Sequence, residues 1–151
     1  MSQLPIHFFT EDISFTLKQK GQLSTWIKNT IIAEGLKLKV LNFIFCSDNY
    51  LLSINQNYLK HDTLTDIITF DNSENKRVIS GDIFISVERV RENAQSFKVT
   101  RESELHRVMI HGTLHLLGYT DKGKEAKALM TDKENLYLSK KKFKIIALEF
   151  R

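Results

Sequence analysis

The stretch Met109–Asp121, MIHGTLHLLGYTD, places two histidines four residues apart in an apolar run, then a glycine, then an aspartate. Four residues carry a helix slightly more than one turn and about 6 Å along its axis, so His111 and His115 point the same way. Gly118, three residues further on, suits the left-handed backbone that ends a helix and turns the chain sharply. Such a turn would bring Asp121 back beside both imidazoles. Two ring nitrogens and one carboxylate oxygen make a three-ligand metal site with a place left for water, which is how catalytic zinc sites are built. A pair of core histidines with satisfied nitrogens would explain either residue alone. It does not explain two imidazoles, a helix stop and a carboxylate together.

Around this stretch the chain reads as a central helix with strands and helices on either side. RESELHRVMIHGTLHLLG (101–118) has a broad apolar side formed by Leu105, Val108, Met109, Leu114 and Leu117. Thr100 opens it in the capping-box pattern, with Ser103 where Glu or Gln would complete the box. His106 lies five residues before His111 and projects about 140° away from it, so it is not expected to share a ligand role. VERVRENAQSF, capped by Ser86, reads as a further helix, as do Thr16–Glu34 with Gly35 as its stop, and NYLLSINQNYL, with Asp48 as its cap. A last helix runs from about Lys124 to Leu138. LPIHFFT, LKVLNFIFCS, IITFD and VISGDIFIS read as strands. The short turn NSENKR between the last two predicts antiparallel pairing. His7 is read as a packing residue of the first strand. The expected fold class is α/β, a small mixed sheet packed with helices and carrying a metzincin-like metal helix and turn.

At 151 residues the chain is expected to form one domain. A hydrophobic content of 42% and a charged content of 26% are those of ordinary globular proteins and exclude a disordered or fibrous class. No apolar run is long enough to span a bilayer. The start, MSQLPIHFFTED, lacks a basic region followed by a long apolar segment, so no secretory signal and no membrane partner are expected. One cysteine, Cys46, rules out an intrachain disulfide, and its apolar context makes it a buried strand residue. A reducing, cytoplasmic setting follows. Acidic and basic residues balance through residue 119, so the net charge of +4 resides in residues 120–151, centred on SKKKFK. This basic tail (139–151) is either a solvated face or a footprint for a polyanion.

The metzincin-like spacing H-x3-H-x5-D lacks one element. Zinc proteases of the HExxH type place a general base directly after the first histidine. Here that residue is Gly112, which disfavours peptidase chemistry. A metal ion could still polarise a phosphoryl oxygen.

HGTLHLLGYTD resembles the signature of the YbeY family, bacterial single-strand-specific endoribonucleases that mature ribosomal RNA. INQNYLKHDTLTDIITFD, followed by GDIFIS, resembles that family's other block, in the same order. The resemblance covers roughly residues 1–138. It implies a zinc-dependent hydrolase with one Zn2+ per chain, held by His111, His115 and Asp121. It also implies single-stranded RNA, the 3′ end of 16S rRNA and the small ribosomal subunit as substrates and partners. The alternative class is a ribosome-assembly factor that binds RNA and whose metal is mainly structural.

Two positions depart from the family pattern. Asp121 stands where a third histidine is usual; an anionic ligand should make bound water less acidic than a third neutral imidazole would. The loop pattern Y-R-x-K-D reads here Tyr58-Leu59-Lys60-His61-Asp62. A guanidinium able to brace a phosphate bidentately is thus replaced by leucine. Lys60 and His61 are the candidate phosphate or leaving-group partners in that loop, and Asp66 is a candidate base or supporting carboxylate.

Overall fold

The computed structural model describes residues 4–58 and 65–141. Four strands, β1 (Ile6–Thr10), β2 (Lys37–Cys46), β3 (Ile67–Asp71) and β4 (Val78–Ser86), form one sheet in the order β1-β2-β4-β3. β1, β2 and β4 run parallel, and β3 runs antiparallel to β4. The mixed sheet is therefore the one the sequence predicts. The short turn fixes the antiparallel pair, and crossovers through α1 (Lys20–Ala33) and α2 (Asp48–Tyr58) carry the parallel ones.

Alternation along the strands sorts the two faces. Leu41, Phe43, Phe45, Ile79, Ile83 and Ile85 are fully or almost fully buried in the main core with α1 and α4 (Arg101–Leu116). Cys46 and Ile68 lie in a second, smaller core with Leu51 and Ile54 of α2. Cys46 is the buried strand residue its context predicts, and burial pushes its thiol up to about 12. α3 (Val87–Phe97) and α5 (Lys124–Ser139) flank α4, which touches β3, β4, α1, α3 and α5. No helix among the described residues is long and apolar enough to cross a membrane.

α4 is held close to the sheet at Gly112. A Cβ there would stand 2.6 Å from Ile67 Cδ1 and 2.9 Å from Ile83 Cγ2, both too near for a real side chain. The small residue lets the helix axis approach β3 and β4 and leaves the histidines on its flank. Thr100 starts the helix, its Oγ1 accepting from Ser103 N at 3.0 Å, and Ser86 caps α3 in the same way from Arg89 N.

Some sequence expectations need correction. Asp48 does not cap α2; Ser47 Oγ accepts from Tyr50 N at 3.1 Å instead. The Asp48 carboxylate reaches across to α3, accepting from Ser86 Oγ at 2.6 Å and Arg89 Nη2 at 2.9 Å. α1 begins at Lys20, not Thr16, because Gln19 takes a left-handed conformation (φ 61°). His7 is exposed on β1 and is not a packing residue. Lys60, His61 and the rest of the loop 59–64, with the tail 142–151, lie outside the described residues.

Candidate metal centre

α4 carries Arg107, His111 and His115 on one stripe, each four residues from the next, so a single helix face supplies both imidazoles. The helix ends at Leu116, with the Leu117 N–H bonded back to Thr113 O and Leu114 O. Gly118 then adopts φ +111°, where a side chain would be strained, and Gly123 adopts φ +97° before α5. Between these glycines the chain reverses and delivers Asp121.

The outcome is a tight cluster. His111 Nε2 and His115 Nε2 lie 3.1 Å apart. Asp121 Oδ2 lies 3.5 Å from the first and 3.6 Å from the second. An ion with tetrahedral bonds of about 2.0–2.1 Å sets its ligand atoms roughly 3.3–3.4 Å apart. The three donor atoms already have that spacing, so the residues present fit a zinc-sized cation. Both histidines are part-buried and Asp121 is exposed, which leaves one side open to solvent.

Each imidazole has its own support. His111 Nδ1 meets Glu134 Oε2 of α5 at 2.5 Å. Glu134 is fixed in turn by Arg107, whose Nη1 donates to Oε1 at 2.9 Å while Nη2 donates to Asn135. A carboxylate on the far ring nitrogen selects the tautomer whose Nε2 lone pair faces the centre. Burial alone would push His111 down; the Glu134 hydrogen bond and charge, with Asp121 and Asp66 behind it, outweigh burial and raise it. Burial would likewise raise the Glu134 carboxyl, but His111 and Arg107 hold it below the ordinary range. His115 goes the other way: burial, then the neighbouring His111 charge, hold it below its usual value.

Asp66 sits immediately before β3, whose next residue, Ile67, reaches α4 at Gly112. Its carboxylate accepts from Asn93 Nδ2 at 3.5 Å. Burial pushes its carboxyl up, and the charges of His111 and Arg89 only partly offset this. Asp66 is thus within electrostatic reach of the cluster. His106 is buried on the opposite side of α4, with its ring against Trp26 and Nδ1 accepting from Lys141 Nζ at 2.8 Å.

The sequence pattern does not by itself single out Glu134 or Arg107 as supports of the cluster. Arg107 was legible as the third member of the 107/111/115 stripe. Glu134 was not, because α5 meets α4 only through tertiary packing.

The family model described as Endoribonuclease YbeY matches residues 6–142. The chain belongs to the YbeY family. Among its relatives, the endoribonuclease YbeY of Cytophaga hutchinsonii is 50% identical over 143 residues, which are 95% of this chain and all of that protein. The endoribonuclease YbeY of Flavobacterium psychrophilum is 51% identical over 127 residues, covering 84% and 90% of the two chains. The solution structure of TM1509 from Thermotoga maritima superposes with a TM-score of 0.61 at 30% identity, covering 89% of this chain and 87% of that one. The YbeY match contains β1 through α5, so every element that builds the cluster lies inside the family region.

Proposed function

We propose that this chain is a zinc-dependent, single-strand-specific endoribonuclease with one ion held by His111, His115 and Asp121. It works as a single metallohydrolase domain in the cytoplasm. Its substrate is the 3′ end of 16S rRNA, and it serves small-subunit maturation and quality control. The observation that carries this reading is the spacing of the three donor atoms, which suits one tetrahedral cation. Family membership supplies the class of substrate.

When bound, the ion supplies Lewis acidity toward a phosphoryl oxygen and lowers the pKa of water toward ~7. The protein's own groups do the rest. Glu134 orients His111, and Asp121 brings a negative charge that partly neutralises the cation. Asp66, raised by burial and within electrostatic reach of His111, exchanges the proton that phosphodiester cleavage must move. Lys60 and His61, by their place in the family's loop pattern, are the candidate partners of the phosphate or the leaving oxygen. Gly112 leaves the peptidase base position empty, and α4 could not carry a glutamate there without leaving the sheet. The basic tail from Ser139 onward supplies attraction for the RNA backbone.

The test pairs metal content with cleavage. Wild type as purified should hold about one zinc per chain and cut a short single-stranded RNA, and His115→Ala should lose both. A 2′,3′-cyclic phosphate on the product would assign the attack to the ribose hydroxyl instead of water. A second reading, an RNA-binding assembly factor with a mainly structural metal, draws on Leu59, which stands where the family's arginine would brace a phosphate. Stoichiometric zinc and small-subunit binding without cleavage would establish it.

A further inference from the structure

Among the described residues, the carboxylate that pairs with His115 is that of Asp121, on the cluster side of the ring. Next to it, Tyr119 in the loop between the two glycines donates its backbone N–H to Leu114 O at 3.1 Å, and the Tyr119 backbone lies within electrostatic reach of the His115 ring. Tyr119 is itself tied down from a distance. Its hydroxyl donates to Glu34 Oε1 at 2.5 Å, across 85 residues of sequence. The other Glu34 oxygen accepts from Lys133 Nζ at 3.1 Å and from the Tyr137 hydroxyl, both on α5. Lys133 Nζ also stands 5.6 Å above the Tyr119 ring. The Glu34 side chain is only 12% exposed.

The position of this acid is informative. Glu34 is the C-cap of α1, where the partial negative charge of the helix disfavours a carboxylate. Local helix energetics therefore gives no reason for an acid here, and its three tertiary donors do. One donor belongs to the loop that leaves α4 beside His115 and presents Asp121 by its side chain.

We propose that Glu34 is a positioning residue for the metal centre: through the Tyr119 hydroxyl it fixes the loop, and with it the His115 ring and the Asp121 carboxylate. His111 and His115 are then both supported by a glutamate, the first by direct contact with Glu134 and the second through one tyrosine. This role rests on the metal-centre reading above.

The experiment titrates zinc into the full-length metal-free chain against a chromophoric chelator. Tyr119→Phe and Glu34→Gln should each weaken zinc binding about tenfold, the lower end for residues that orient a ligand. Combining them should weaken it no further, since both cut one link. Tyr137→Phe removes a Glu34 hydrogen bond outside the loop; it should lower the thermal midpoint and leave zinc affinity alone. With cobalt in place of zinc, the ligand-field absorption should change in Tyr119→Phe and Glu34→Gln and be unaltered in Tyr137→Phe. Wild-type affinity in Tyr119→Phe and Glu34→Gln, with His115→Ala failing to bind, would overturn the positioning role alone, as would fully additive losses in the double variant. A wild-type chain that takes up no zinc would overturn the metal-centre reading and this role with it. Should Glu34→Gln fold poorly, Tyr119→Phe, which loses one oxygen atom, decides the matter.

Discussion

One helical turn separates His111 from His115, and their surroundings differ in kind. His111 leans on a carboxylate backed by an arginine, a part-buried charged relay between α4 and α5. His115 borders a glycine-bounded loop whose Tyr119 backbone, within its electrostatic reach, carries no charge. One ring is pushed up and the other down, although both sit on one stripe of one helix. The lesson is that helical spacing can align two ligands but cannot orient their rings. Orientation comes from whatever packs behind each ring, and here that differs.

The comparison can be broken most severely at the residue that places both rings together. Gly112→Val would drive a branched side chain into Ile67 and Ile83. It should cost about 3 kcal/mol, the upper end for overpacking a tight contact. A fall in the thermal midpoint of roughly 6–12 °C, read by calorimetry, is the expected sign for a chain of this size. A midpoint within 2 °C of wild type would mean that α4 does not rest on the sheet there.

A smaller effect, confined to one ring, tests the charged relay. Glu134→Gln keeps the shape and removes the charge, so zinc affinity should fall about 10- to 100-fold, measured by chelator competition. Arg107→Met, one step further out, should lose less than Glu134→Gln. Equal losses would show that Arg107 acts on the centre directly and not through Glu134.

The smallest effect concerns the third histidine of α4, on the core side. His106 is buried and neutral, its pKa pushed down to about 3 by burial and then by the Lys141 charge. The unfolded chain takes up a proton near pH 6.5 that the folded chain refuses until far lower pH. His106 therefore costs no stability above about pH 6.5, and stability is lost as the pH falls below it. The slope is at most about 1.4 kcal/mol per pH unit. Urea unfolding between pH 4.5 and 7 should show a steeper decline in wild type than in His106→Gln. Parallel profiles would mean that the ring is protonated in the folded state.

Much of this architecture could be read from residue order. β3 and α3 have the boundaries that composition and capping predict, because strand-favouring runs and a serine cap are local signals. The His111, His115 and Asp121 cluster was legible because one helix turn and one glycine turn specify it. α1 was drawn too long: Leu17 continues the helical spacing and is buried, but it packs from an irregular segment before Gln19 turns left-handed. Glu134 remained hidden because its partners come from elements far away in sequence, whereas Tyr119, directly after Gly118, could be read as packing over the turn with a hydroxyl free to reach a supporting group; only its partner, Glu34, could not be named. Glu34 did leave a trace, an acid at the wrong end of a helix, which is an unfavourable local choice that only a tertiary contact explains.

Trp26, the one tryptophan of the chain, donates its indole N–H to the Tyr137 carbonyl at 2.8 Å, and Lys141 Nζ lies 5.6 Å from its ring. The same Tyr137 sends its hydroxyl to Glu34. A lone tryptophan is thereby wired to the seam between α1 and α5, one residue from the Glu34 hub. The protein carries its own optical gauge of whether that seam is closed, with no dye or tag required.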